Sequence, residues 1–197
     1  MKKFFKSLML ISVCLGLSAT VNAKTFRYAT TGDILGLDPH ANNEGPTNTM
    51  KGNIYGRMLH RKADLSLEPD LATKWEKLDA NTWRFSLRRG VKFHNGNDFN
   101  ADDVLFSYKR QTQEASDMSF ALATIKQINK VDDYTVDLIT KGPDPILLLN
   151  MPMFYIVDKD WIEANTSVEG GRASGSTNCA NVNTNGTGPF KVVEWIQ

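Results

Sequence analysis

Cysteine is nearly absent from this sequence: Cys14 and Cys179 are the only two in 197 residues. Cys14 lies in a leader expected to be removed, so one thiol remains and no internal disulfide framework can form. Histidine is scarce too. His40, His60 and His94 stand far apart, and none has a partner at a short ligand spacing such as H-x-x-x-H. Each reads as a surface or hydrogen-bonding histidine, and no metal site is expected. Charge of one sign is also missing: 23 Lys and Arg against 22 Asp and Glu give a net charge of +1. That is not the clustered basic surface of a nucleic-acid binder. No G-x-S-x-G elbow occurs, and Gly170 to Gly175 (GGRASG) is not followed by the Lys-Ser/Thr of a phosphate loop. After the first apolar run, no stretch approaches the roughly 20 apolar residues that a spanning helix needs.

The leader has three parts. Lys2, Lys3 and Lys6 form a basic start, Leu8 to Leu17 an apolar run, and Val21-Asn22-Ala23 the small-residue pattern of a cleavage site. Residues 1–23 therefore read as a signal peptide, and the mature chain is expected to begin at Lys24 in the periplasm. Lipidation at Cys14 fits less well, because Val13 precedes it and further apolar residues follow. Removing three lysines and no acids takes the net charge from +1 to −2 over the remaining 174 residues. With 41% hydrophobic and 23% charged residues, the composition is that of a globular protein with a core.

Mixed α and β patterns follow, without regular βαβ alternation. Thr25 to Thr30 alternates Phe26 and Tyr28 with polar residues, a half-buried strand pattern. Gly32 to His40 reads as a loop. Met50, Ile54 and Met58 recur every four residues and predict an amphipathic helix over residues 47–59. Trp83, Phe85 and Leu87 alternate with Arg84, Ser86 and Arg88, which predicts a strand between turns at Asp79-Ala80-Asn81 and Asn95-Gly96. Asn100 reads as a helix N-cap with Asp103 as its reciprocal carboxylate, ahead of an apolar face of Val104, Leu105 and Tyr108. Asp102 and Asp103 point about 100° apart on that helix, so capping explains them better than paired-acid chemistry. Thr166 to Gly188 reads as a long surface loop. Val192 to Gln197 reads as a strand that stops midway, which suggests a truncated reading frame.

The stretch WEKLDANTWRFSLRRGVKFHNGNDFNADDVLFSYKR, ending at Arg110, resembles the signature region of the family 5 extracellular solute-binding proteins, the dipeptide, oligopeptide and nickel receptors of ABC importers. TTGDILGLDPH (Thr30 to His40) and GTGPFKVVEW (Gly186 to Trp195) flank it and resemble the family's LDP loop and GTGPY box. The resemblance implies an α/β, two-lobed clamshell of the periplasmic-binding-protein type (type II, cluster C-like), with only its N-terminal part present. Residues 24–58 and 186–197 would belong to one lobe, and 59–185 to an additional subdomain packed on it.

By the same resemblance, Asp33, Ile34 and Leu35 would line the ligand cleft after the first strand, and Met118 and Phe120 would follow the capped helix toward it, although core packing fits both at least as well. Asp33 would attract a ligand ammonium, although a turn-forming Asp fits its place equally well. The implied function is capture of peptides for a permease and ATPase complex, by a monomer with no cofactor and no catalytic residues. A nickel or haem carrier of the same architecture is the runner-up, and a secreted hydrolase a distant third.

Overall fold

The computed structural model describes residues 25, 27, 29–165, 167, 168, 170 and 178–196. The chain divides into two units, Met1–Thr30 and Thr31–Gln197. The leader, Phe26 and Tyr28 lie outside the described residues. The expected strand over Thr25 to Thr30 is not formed at Thr25, Arg27, Ala29 and Thr30, which are exposed. A strand needs a hydrogen-bonded neighbour, and the described strands pair only among themselves.

In the second unit, helix α1 (Gly45–Ile54) begins where the Glu44 carboxylate accepts from Thr47 N at 3.0 Å and Pro46 fills the first turn. It ends well short of the predicted residue 59, because Tyr55 is extended. Met58 therefore leaves the stripe of Met50 and Ile54 and enters the sheet core beside Leu59 and Phe85. The helix stops because another segment supplies the partners its last carbonyls need. Gly188 N donates to Ile54 O at 2.8 Å, Phe190 N to Asn53 O at 3.2 Å, and Gly56 N to Thr187 Oγ1 at 3.1 Å. This is the physical content of the GTG motif. A Cβ on Gly186 would stand 2.1 Å from Ile54 O, and one on Gly188 2.6 Å from the same oxygen.

Gly186→Ala should therefore cost about 3 kcal/mol or more in urea unfolding of the whole protein, since the obstacle is backbone. Gly142→Ala, where nothing lies within 4 Å, should change stability by less than about 0.5 kcal/mol. Equal effects would mean that the segment shifts without cost.

The short hairpin β1 (Leu59–Arg61) and β2 (Leu67–Pro69) leads into a four-stranded antiparallel sheet. Its strands are β3 (Ala72–Lys77), β4 (Thr82–Leu87), β5 (Ile125–Asp132) and β6 (Thr135–Thr140), in the order β3-β4-β6-β5. The alternation predicted for β4 is present. Phe85 and Leu87 are buried with Val136 and Leu138, while Arg84 on the other face makes two bonds, 2.7 and 2.8 Å, to Asp137 directly opposite on β6. Asp79 closes the β3-β4 turn by accepting from Asn81 N and Thr82 N.

Helix α2 (Ala101–Gln111) covers the sheet and has the predicted capping box: Asn100 accepts from Asp102 N at 2.7 Å, and Asp103 accepts from Asn100 N at 2.9 Å. Val104 is buried, and Leu105 and Tyr108 pack at the core's edge. A one-turn helix α3 (Leu147–Asn150) and a short helix α4 (Lys159–Ala164) follow. Single 3-10 turns lie at Ser119–Leu122, Met151–Met153 and Cys179–Asn181.

The long loop departs from expectation. Ser167, Asn178 and Asn185 are buried, because small polar side chains can go inside when their hydrogen bonds are made. Asn185 Nδ2 donates to Asp158 Oδ2 at 2.8 Å, and Asn95 and Asn97 donate to the same oxygen at 2.9 and 2.8 Å. The strand expected at Val192 to Gln197 is absent among its described residues, with Val193 and Ile196 exposed.

Candidate functional site

The loop from Gly32 to Asn42 turns on Asp38. Its side chain accepts from His40 N at 2.9 Å, bending the chain around Pro39, and its carbonyl accepts from Ala41 N at 3.3 Å. Leu37 N donates to Asn181 O at 3.1 Å and Tyr55 Oη to Leu37 O at 3.2 Å, so the turn is tied to α1 and to the returning segment.

The centre of this region is a buried polar cluster. Arg110, on the last turn of α2, grips both oxygens of Asp38, with Nη1 to Oδ1 at 2.8 Å and Nη2 to Oδ2 at 2.6 Å. The same Nη1 lies 2.9 Å from His40 Nδ1, Arg110 Nε donates to Ser167 O at 3.0 Å, and Asn178 Nδ2 donates to Asp38 Oδ2 at 3.2 Å. Because Arg110 can only donate, Nδ1 of His40 accepts. Its Nε2 then carries the proton and donates to Tyr155 O at 3.0 Å. Lys51 Nζ, also buried, donates to Asn42 O.

These surroundings set the charges. Burial pushes His40 down to about 3, helped by the Arg110 charge, so the imidazole is neutral. Burial alone would raise Asp38, but the Arg110 hydrogen bonds and charge outweigh it and hold the carboxyl below its ordinary value. Burial likewise brings Lys51 down to about 8. His40 is thus the hydrogen-bonding kind and not a surface residue. His60 lies 3.0 Å from Arg57 Nη2, and His94 Nε2 lies 2.8 Å from Gly188 O.

Of the five residues expected at a ligand, four are exposed or half-buried. Leu35 is 64% and Phe120 48% exposed, Asp33 is exposed, and Ile34 is half-buried. Asp33 Oδ1 accepts from Ile34 N at 2.8 Å, and Leu35 N donates to Thr47 Oγ1 at 3.0 Å. Met118 differs. At 1% exposure it packs with Ile54, Tyr55 and Tyr155, because the 3-10 turn that follows turns Phe120 outward while Met118 stays inside. The loop and the Phe120 segment meet at their inner ends: Ser116 Oγ donates to His40 O at 2.7 Å, and Asp117 N to Ala41 O at 3.4 Å.

Two clefts occur elsewhere among the described residues, of about 440 and 360 Å3. The first is acidic, with Asp98, Asp102, Asp103, Asp158 and Asp160; the second lies between Trp161, Cys179 and Trp195. None of the five expected residues lines either one. No group of three His, Cys, Asp or Glu suited to a metal ion is found among the described residues.

Known proteins resemble this chain in sequence and in fold. A dipeptide-binding protein of Escherichia coli (strain K12) is 30% identical over 93% of this chain, which covers 38% of that protein. A heme-binding protein A of Haemophilus influenzae is also 30% identical, over 87% of this chain and 35% of the relative. In three dimensions, the periplasmic binding protein DppA from Helicobacter pylori, in complex with the peptide STSA, superposes with a TM-score of 0.73 at 29% identity. That match covers 84% of this chain and 36% of DppA. The oligopeptide-binding protein AppA of Bacillus subtilis, at 24% identity, has the same fold with a TM-score of 0.75. The chain therefore has the α/β fold of periplasmic binding proteins and spans a little over a third of the length of such relatives. Residues 66–197 match the family described as bacterial extracellular solute-binding proteins, family 5 Middle, and this chain belongs to that family.

Proposed function

We propose that the whole protein captures peptides in the periplasm, after removal of residues 1–23, and delivers them to the permease and ATPase of an ABC importer. The observation that carries this reading is the likeness to peptide receptors combined with the outward stance of Asp33, Ile34, Leu35 and Phe120 on segments tied together by the His40 turn. Met118 would support Phe120 from within the core. Capture without covalent chemistry is the corresponding mode of action, with a monomer closing over its ligand. Residues 24–58 and 186–197 would form part of one lobe and 59–185 the added subdomain. The bonding of Gly188 to α1 supports grouping the returning segment with the first one.

In this mechanism an extended peptide pairs its main chain with protein backbone, so affinity does not depend on side-chain identity. Asp33 would meet the terminal ammonium. Closure excludes water, and the ligand shifts the population toward the closed form because it binds that form better. Haem is the competing ligand, since the haem-binding relative is as similar as the dipeptide-binding one. Calorimetry of the whole protein with a pool of di- to pentapeptides, and separately with haem, decides between them. Heat with haem alone would refute the peptide reading.

Asp33→Asn should weaken binding of a peptide with a free N-terminus roughly 10- to 150-fold, the worth of a charge-assisted hydrogen bond of about 1.5 to 3 kcal/mol. An N-acetylated peptide should bind wild type and variant alike. If Asp33 serves only its own turn, Asn replaces it with no change in either titration.

A further inference from the structure

Arg110 does not face the candidate ligand wall. Its side chain is 1% exposed, yet two distant stretches of chain converge on its guanidinium: Asp38 and His40 from the loop, and Ser167 from beyond α4. We infer that Arg110 is a positioning residue for ligand capture, setting the stance of Asp33, Ile34 and Leu35 through Asp38. The inference rests on the peptide reading above and adds a residue remote from the ligand.

The connection runs through few bonds. Arg110 fixes both oxygens of Asp38, Asp38 fixes His40 N, and only Gly36 and Leu37 separate Asp38 from Leu35, whose own amide is pinned by Thr47. On its far side the same turn anchors the segment leading to Phe120, through Ser116 and Asp117. The loop is thus held at both ends, while the Asp33 carboxylate accepts from the neighbouring Ile34 N. An arginine suits the place because its planar fork serves Asp38, His40 Nδ1 and Ser167 O at once, whereas one ammonium cannot span them.

The test is a double-mutant cycle in the whole protein, with a free-N-terminus dipeptide titrated well below each variant's melting temperature so that only folded protein is counted. Arg110→Lys should weaken binding about 10-fold in the wild-type background and less than about 2-fold when Asp33→Asn is already present, because coupled residues are non-additive. Equal losses in the two backgrounds, or unchanged affinity, would overturn the inference. Where Arg110→Lys does not fold, Asp38→Asn takes its place in the cycle with the same expectation.

If wild type binds no peptide, the peptide reading fails, and amide hydrogen exchange still decides the positioning claim. Exchange at Leu37 and His40 should quicken at least about 10-fold in Arg110→Lys while the amides of β4 and β6 keep their protection. Quickening in both places alike, or in neither, would show that Arg110 does not hold the loop in particular.

Discussion

Asp38→Ala should lower the unfolding free energy of the whole protein by roughly 3 to 5 kcal/mol, the usual cost of stranding one partner of a buried ion pair. Asp38 is fully buried and supplies both acceptors for the Arg110 fork. Without it the guanidinium keeps its charge inside the protein with only Ser167 O and His40 Nδ1 among these acceptors. Asp38→Asn retains one acceptor and the shape, so its loss should be smaller. In many proteins an apolar pair of similar volume replaces a buried ion pair without loss. Here Asp38→Leu with Arg110→Met should remain destabilised, because Ser167 O and His40 Nδ1 would then lose their donor. Urea unfolding of the three variants checks the order, and a loss below about 1 kcal/mol for Asp38→Ala would contradict it.

Acid should weaken the same region, and His40 determines where. Its imidazole is held at about 3 in the folded chain against an ordinary 6.5, first by burial and then by the Arg110 charge, with Asp38 and the Tyr155 carbonyl partly opposing and Lys51 adding slightly. Between those two values the unfolded chain binds a proton that the folded chain does not, so stability falls as pH is lowered through this window. At 1.36 kcal/mol per pH unit, the loss from pH 6.5 to 5 is about 2 kcal/mol, and the whole window is worth on the order of 4. Asp38 adds to this lower down. Its folded value is depressed below 3.8, so its contribution is present above 3.8 and disappears as pH falls through the folded value. Asp103 works the other way. Burial raises it to about 6, so its protonation favours the folded chain between about 6 and 3.8 and offsets part of the loss. Urea unfolding at pH 7 and pH 5 should show wild type losing about 2 kcal/mol more than His40→Gln over that interval, Asp103 contributing equally to both; parallel slopes would remove His40 from the explanation.

How much of this could be read in advance depends on the range of the forces involved. The alternation of Trp83, Phe85 and Leu87 and the Asn100–Asp103 capping box are made by neighbours in sequence, and both are present as expected. The end of α1 was not legible, because the partners that stop it lie in the GTG segment. Arg110 lies on the last turn of α2, and nothing beside it in sequence marks it as buried. Its partner Asp38 lies 72 positions away, and no local pattern announces such a pair; the one signal was that LDPH and SYKR both fall within stretches that resemble the family. Met118 and Phe120 are two residues apart with opposite exposures, a difference set by a 3-10 turn that hydrophobicity alone does not foretell.

The bond from Gly56 to Thr187 spans 131 positions, and this separation orders events in time. On the ribosome, at roughly 5 to 20 residues per second, α1 emerges some 7 to 26 s before the segment that completes its C-terminal end. The sheet from Ala72 to Thr140 pairs β3 with β4 and β5 with β6 across turns, and β4 with β6 across a longer connection, and it can close within that interval, since closure entropy grows only slowly with loop length. The first helix is therefore the last part of this region to be secured, and a nascent chain carries its amino-terminal end unsealed until the glycines arrive.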